Sequence, residues 1–269
     1  MVSSKKLLLV GCGKMGAALL TGWLKNDFFS EITIIDPFFN SNLEEENVTI
    51  LDSVDKYQST PDVIVFAIKP QIFSVALPDY SQFENALFIS IAAGQSVDKI
   101  GSLIGEDKRI IRVMPNTPAS IGHGMSVLYA NKFASNEDKE LSQNLMEVCG
   151  QTLWIDKEDD MHAVTALSGS GPAYVFHMIE ALAEAGRELG LASDVAMTLA
   201  RQTVEGSAML SAADKQTAVS VLRENVTSPQ GTTWAGLTVL MNDHEGLPKL
   251  MKKTLEAAKS RSIVLDSLD

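Results

Sequence analysis

The chain has 269 residues, 45% of them apolar, which is enough to bury a large core and to build two domains or one large one. Its 34 acidic residues outnumber 22 basic ones, and the net charge of −12 disfavours nucleic acid and anionic membranes as partners. The partner these numbers leave is a small molecule, and no apolar run approaches the roughly 20 residues that a bilayer crossing needs.

The N-terminal stretch "MVSSKKLLLVGCG" passes from two lysines directly into a strand pattern, so no signal peptide is expected. The runs "KKLLLVG", "EITIID", "DVIVFAI", "ALFISIA" and "RIIRVM" each hold four to six apolar or β-branched residues closed by Gly, Pro or Asp. Strands buried on both faces read this way. Helix-compatible segments such as Met15–Lys25 and Val97–Ile104 lie between them, and the alternation predicts a parallel sheet with helices on both faces. Two more strands, "GMSVLYA" and "TLWI", flank a helix from Asn136 to Cys149 with Asn136 as its cap.

Strand signals stop after Trp154. From Asp159 onward the chain is rich in Ala, Leu, Met and Glu, broken at "SGSGP", "ELGLAS", "SAADK", "NVTSPQG" and "NDHEGLP", which predicts five or six helices. The division is therefore 1–157 for an α/β domain and 158–269 for an all-α one. The segment "PAYVFHMIEALAEAGREL" is apolar, but Glu180, Glu184, Arg187 and Glu188 exclude a membrane span and point to a buried or subunit-interface helix. Cys12 and Cys149 suit a reducing cytoplasm better than a disulfide scaffold. His123, His162, His177 and His244 have no ligand spacing, so no metal is expected.

Gly11-Cys12-Gly13-Lys14-Met15-Gly16 is a G-x-G-x-x-G sequence between a strand and a helix, with Asp36 twenty residues beyond Gly16 at the end of the next strand. Gly11 permits the tight turn, Gly13 lets the backbone approach a pyrophosphate, and Gly16 lets helix and strand pack closely, which points to a dinucleotide site. Asp36 suits the ribose hydroxyls of NAD, since "PFFNSN" after it supplies no cation for the 2′-phosphate of NADP; its alternative role is to cap the turn with Pro37. Ala67-Ile68-Lys69-Pro70 ends a strand at the carboxyl edge of the sheet, where Lys69 could reach the cofactor. "SIAAG" ends the next strand, and Ala92 and Ala93 leave room for a nicotinamide ring. "MPNTPA", Met114 to Ala119, ends another, as a site wall or only a rigid turn.

"SGSGPAY" lacks the G-x-S-x-G order and follows a helical pattern, so a serine nucleophile is rejected. In "ENVTSPQGTTWAGL", Ser228 can cap a helix with Pro229 in its first turn. That leaves Asn225, Thr227, Gly231, Thr232 and Thr233 over, at a helix start whose free N–H groups can receive an anion.

Together "GCGKMG", "AIKP", "SIAAG", "RVMPNTPA", "AVTALSGSGPAY" and above all "VTSPQGTTWAGL" resemble the pyrroline-5-carboxylate reductase family, essentially end to end. The resemblance implies a Rossmann-like N-terminal domain, an all-α C-terminal domain that dimerises by interleaving helices, and dimers that often assemble into decamers. It implies NADPH or NADH as hydride donor and the cyclic imine pyrroline-5-carboxylate as substrate, reduced to L-proline in the last step of proline biosynthesis. Carried onto this chain, it places the substrate carboxylate on the backbone amides around Gly231, Thr232 and Thr233. It makes Thr233 a proton donor to the ring nitrogen and sets Asn225 beside the nicotinamide. Glu158 falls in the substrate pocket, although a glutamate in a first helical turn also interacts with the helix dipole. Gln230 departs from the family in standing where glycine is common, and Asp36 in standing where many members carry residues suited to a 2′-phosphate. A β-hydroxyacid or ketopantoate-type dehydrogenase is the rival among enzymes, and "VTSPQGTTWAGL" discriminates against it. Against a silent, dinucleotide-sensing relative stand the intact Gly231, Thr232 and Thr233.

Overall fold

The computed structural model describes residues 5–39 and 46–267. Residues Met1–Ser4, on which the signal-peptide reading partly rests, and Asn40, Ser41 and Asn42 of the "PFFNSN" turn lie outside the described residues. The chain forms two compact units: the first runs up to Ser170 and takes back the stretch from Ala258 on, and the second is Gly171–Ala257.

The first unit is an eight-stranded sheet in the order β3-β2-β1-β4-β5-β6-β7-β8. Its strands are β1 (Lys6–Val10), β2 (Glu31–Ile35), β3 (Val48–Leu51), β4 (Val63–Phe66), β5 (Leu87–Ser90), β6 (Arg109–Met114), β7 (Gly124–Ala130) and β8 (Gly150–Trp154). Helices α1 (Lys14–Lys25), α2 (Phe73–Ala76), α3 (Val97–Ile104) and α4 (Asn136–Glu147) connect them. The apolar runs are continuous because both faces are covered. Leu7, Leu9, Ile32, Ile34, Val63 and Val65 pack with Leu19, Trp23 and Leu145 on one face; Leu8, Val10, Ile64, Phe66 and Phe88 pack with Phe73, Leu77 and Ile100 on the other. Period-two alternation sends neighbouring residues of a strand to opposite cores.

β1 to β6 pair in parallel, as the five apolar runs predict, and β7, whose direction the sequence left open, runs antiparallel to β6. The link between them, Pro115–His123, is a short turn, whereas a parallel return requires a crossover of a dozen residues or more. β8 follows α4 and is parallel to β7. A correction concerns α4, whose cap is Ser135 and not Asn136. The Ser135 hydroxyl accepts the Asp138 N–H, and the Asp138 carboxylate takes the Ser135 N–H in return. That reciprocal pair satisfies two orphan donors at once, which Asn136 could not do from inside the helix.

Past the sheet, the chain continues through α5 (Asp160–Val164) and a π-helical turn at Thr165–Gly169. These residues belong to the first compact unit, with Met161 and Ala166 buried. The second unit contains α6 (Gly171–Glu188), α7 (Ser193–Ala213), α8 (Val219–Asn225), α9 (Thr232–Leu240) and the start of α10 (Leu247–Asp266). α6 and α7 pack closely enough that a Cβ on Gly186 would lie 3.4 Å from Ala196 Cβ. Among described residues 171–257, only Ala183, Ala196, Ala200 and Gly246 are buried. Phe176, Leu199, Met209, Trp234 and Val239 are all exposed. No helix among the described residues is long and apolar enough to cross a membrane.

Candidate active site

The chain builds outward from β1 in one direction through β2 and β3, then returns to the other side of β1 with β4. The reversal opens a crevice at the carboxyl ends of β1 and β4, the place where open α/β sheets bind ligands. Gly11 follows β1 at φ +84°, and a Cβ on it would lie 2.6 Å from Ile68 Cγ2 and 3.0 Å from Ala67 O. Only glycine meets both conditions. A Cβ on Gly16 would come within 2.8 Å of Gly11 O, so α1 sits directly on the turn. Gly13, by contrast, has nothing within 4 Å of that position. It caps α1 without any side-chain hydrogen bond, leaving the helix N-terminus open to a phosphate.

Cys12 is buried, and burial, followed by the Asp36 carboxylate, pushes its thiol up to about 11. It is neutral at physiological pH and packs as part of the core. Lys14 is exposed at the first position of α1 and Met15 is half-buried. Lys69, also exposed, caps the 3₁₀ turn Pro70–Ile72. Ala92 and Ala93 follow β5. Residues 11–16, Asp36, 67–70 and 92–93 therefore share one edge of the first unit, at the ends of four adjacent strands.

Several contacts around this edge escaped the sequence reading. Ser96 N–H donates to Asp266 Oδ1 at 3.1 Å and Val97 N–H to Glu158 Oε1 at 2.8 Å, so the start of α3, just beyond Ala92–Ala93, is held by two remote carboxylates. Glu158 Oε1 also accepts from Arg112 Nη1 at 2.9 Å, with the arginine side chain 3% exposed. Asn116 donates through Nδ2 to Ser168 O and accepts the Met125 N–H on Oδ1, which ties the "MPNTPA" turn to the π-helical turn. None of these pairs has a signature in periodicity, because each joins distant segments.

The second unit holds the other group of residues. α9 begins at Thr232 with Gly231 as its cap and no side-chain capping bond. This corrects the expectation that Ser228 caps the helix: the Ser228 carbonyl instead closes a turn on Gly231 N–H at 3.0 Å. No acceptor among the described residues pairs with the N–H groups of Thr232, Thr233 or Trp234, and the hydroxyls of Thr232 and Thr233 have no partner there. Gln230 takes φ +58° despite its side chain. A Cβ on Gly231 would collide with Ser228 Oγ. Asn225 is the exposed last residue of α8.

A family model described as pyrroline-5-carboxylate reductase dimerisation matches residues 158–265, and one described as NADP oxidoreductase, coenzyme F420-dependent, matches residues 6–94. The pyrroline-5-carboxylate reductase of Haemophilus influenzae is 37% identical, over 98% of this chain and 98% of its own. The chain belongs to the pyrroline-5-carboxylate reductase family. Two solved structures agree over 99% of this chain and all of theirs: a pyrroline-5-carboxylate reductase from Coxiella burnetii (TM-score 0.90, 32% identity) and the Plasmodium falciparum enzyme with NADP bound (TM-score 0.85, 31% identity). The protein is thus an NAD(P)H-dependent oxidoreductase that reduces 1-pyrroline-5-carboxylate to L-proline, with a Rossmann-like domain and the family's dimerisation domain.

Proposed function

We propose that this reductase holds the substrate carboxylate on the open N-terminus of α9 and protonates the ring nitrogen from Thr233. The observation that carries the reading is the bare helix start: unpaired N–H groups at Thr232 and Thr233, with two unengaged hydroxyls beside them. Such a terminus offers aligned donors and a favourable dipole to an anion. Gly231 belongs to the same cradle as the cap of α9, where an added Cβ would press on the Ser228 hydroxyl. Bound NAD(P)H supplies the hydride. The chain's own residues align the two rings and assist one proton transfer, which needs no metal and no covalent nucleophile.

On the first unit, Gly11, Cys12, Gly13, Lys14, Met15 and Gly16 would cradle the pyrophosphate, with Ala67, Ile68, Lys69, Pro70, Ala92 and Ala93 along the remainder of the cofactor. Asn225 is assigned to the nicotinamide side. For Glu158 we favour a positioning role through Val97 and Arg112, which its engaged carboxylate supports, over direct contact with substrate. The functional division is placed at 157/158, supported by the family match that begins at 158. The working unit is a homodimer, with the decamer as its higher assembly. The location is cytoplasmic, in keeping with two free, buried cysteines.

Steady-state assays of the purified protein with 1-pyrroline-5-carboxylate and each nicotinamide cofactor test the reading. Oxidation of cofactor only when the imine is present supports it. Folded protein without turnover on either cofactor defeats it.

A further inference from the structure

We infer that Asp36 makes this enzyme favour NADH over NADPH. The inference rests on the dinucleotide reading of the glycine turn, and it runs against the NADP named for the matching family model and seen bound in the Plasmodium relative. Sequence alone left two roles for this carboxylate, ribose acceptor or turn cap, and the geometry makes them compatible. Asp36 Oδ1 accepts the Phe38 N–H at 2.9 Å, which caps the turn. Asp36 Oδ2 accepts the Cys12 N–H at 2.8 Å, which lays the carboxylate against the middle of the glycine turn. Its backbone is fixed as well, the Asp36 N–H donating to Leu51 O at 3.0 Å. The group is half-buried, and each oxygen keeps acceptor capacity beyond the one bond it makes.

A carboxylate so held offers acceptors to the two hydroxyls of an adenosine ribose. A 2′-phosphate in the same place has only acceptors and negative charge to present, so the pair repels and neither desolvated group finds a donor. Proteins that use NADP relieve this with Arg or Lys. Here the sequence from Pro37 to Asn47 contains no Lys or Arg and carries Glu44, Glu45 and Glu46. Asp36 forms no ion pair among the described residues. Lys69 follows β4, on the far side of β1 from β2, roughly two strand spacings or about 10 Å away.

The test compares kcat/KM for NADH and NADPH, together with fluorescence titration of each cofactor to obtain Kd, in the wild type, Asp36→Ser and Asp36→Asn. The wild type is expected to favour NADH at least tenfold, about 1.4 kcal/mol, chiefly through KM and Kd. Asp36→Ser should shrink that ratio at least tenfold by improving NADPH, a gain that damage to the turn would not produce. Asn keeps the size and one acceptor without the charge, so Asp36→Asn should fall between and serves if the serine variant does not fold. Equal or better use of NADPH by the wild type, or variants that weaken both cofactors alike, overturns the role of Asp36 while leaving the reductase reading intact. If neither cofactor is turned over but NADH still binds tenfold tighter, the inference holds and the reductase reading fails.

Discussion

Thr233 sits at the second position of α9 with its hydroxyl unengaged, so its removal should leave the helix intact and expose the chemical step. Thr233→Ala is expected to lower kcat roughly 10- to 1000-fold with a smaller change in KM, because a donor to the imine nitrogen matters most as that nitrogen becomes an amine. An unchanged kcat in steady-state assays would reduce Thr233 to a helix-start residue. Three positions earlier, Gln230 holds φ +58° where an L-residue bears about 1 kcal/mol of strain. Gln230→Gly should therefore keep full activity and match or slightly exceed the wild-type melting temperature, the relief being partly offset by glycine's freedom in the unfolded chain. Gln230→Val, β-branched and poorly suited to the left-handed region, should lose tenfold or more in kcat/KM as Gly231 and Thr232 shift. Equal activity of the two variants would show that the turn is not what places the amides.

At the scale of elements, α3 shows how distant segments secure one helix start. Its cap Ser96 accepts the Lys99 N–H, while Ser96 N–H and Val97 N–H are taken by Asp266 and Glu158. Leu265, next to Asp266, lies against Gly94, whose added Cβ would come within 3.2 Å of it. Since Ala92 and Ala93 lead directly into this start, the end of α10 and the loop before α5 both bear on the cofactor edge. Glu158→Gln leaves Arg112 buried without its counter-charge and should cost roughly 3 kcal/mol in urea unfolding, the low end of the range for breaking a buried pair because the amide still accepts a hydrogen bond. The KM for pyrroline-5-carboxylate should change less than about threefold. A tenfold rise in that KM with unaltered stability would return Glu158 to direct substrate contact.

For the whole molecule, the second unit is the informative part. A bundle whose only buried residues are three alanines and a glycine has no core of its own, and Phe176, Trp234 and Val239 are left uncovered. Apolar surface on that scale marks an interface, and the match to a dimerisation domain over 158–265 says what kind. Sedimentation at micromolar concentration should find a dimer or a multiple of it, and the melting temperature should rise with protein concentration, since association stabilises the folded chain by mass action. A monomer whose melting temperature is independent of concentration would contradict this. Discrete sedimenting species would also separate dimer from decamer.

What sequence alone determined was local or repetitive. Buried strands are predominantly apolar, so β1, β2, β4, β5 and β6 were legible as runs, and Gly11 and Gly16 were legible because one short turn sets the requirements of both. β3 was missed because "VTIL" is an edge strand with Thr49 and Ile50 exposed, so it shows no buried run. Tertiary structure decided whatever joins segments without regard to spacing. The direction of β7 follows from the length of a link, which hydrophobic pattern does not encode. Glu158 meets Arg112 across 46 positions, and Asp266 meets Ser96 across 170. Asp36 reads from sequence as cap or ribose acceptor, and only the structure places its two oxygens, one on Phe38 and one on Cys12. Periodicity reports which face of an element is buried; it carries no information about which distant donor a carboxylate will meet, and that pairing is settled only when the sheet brings the ends of its strands together.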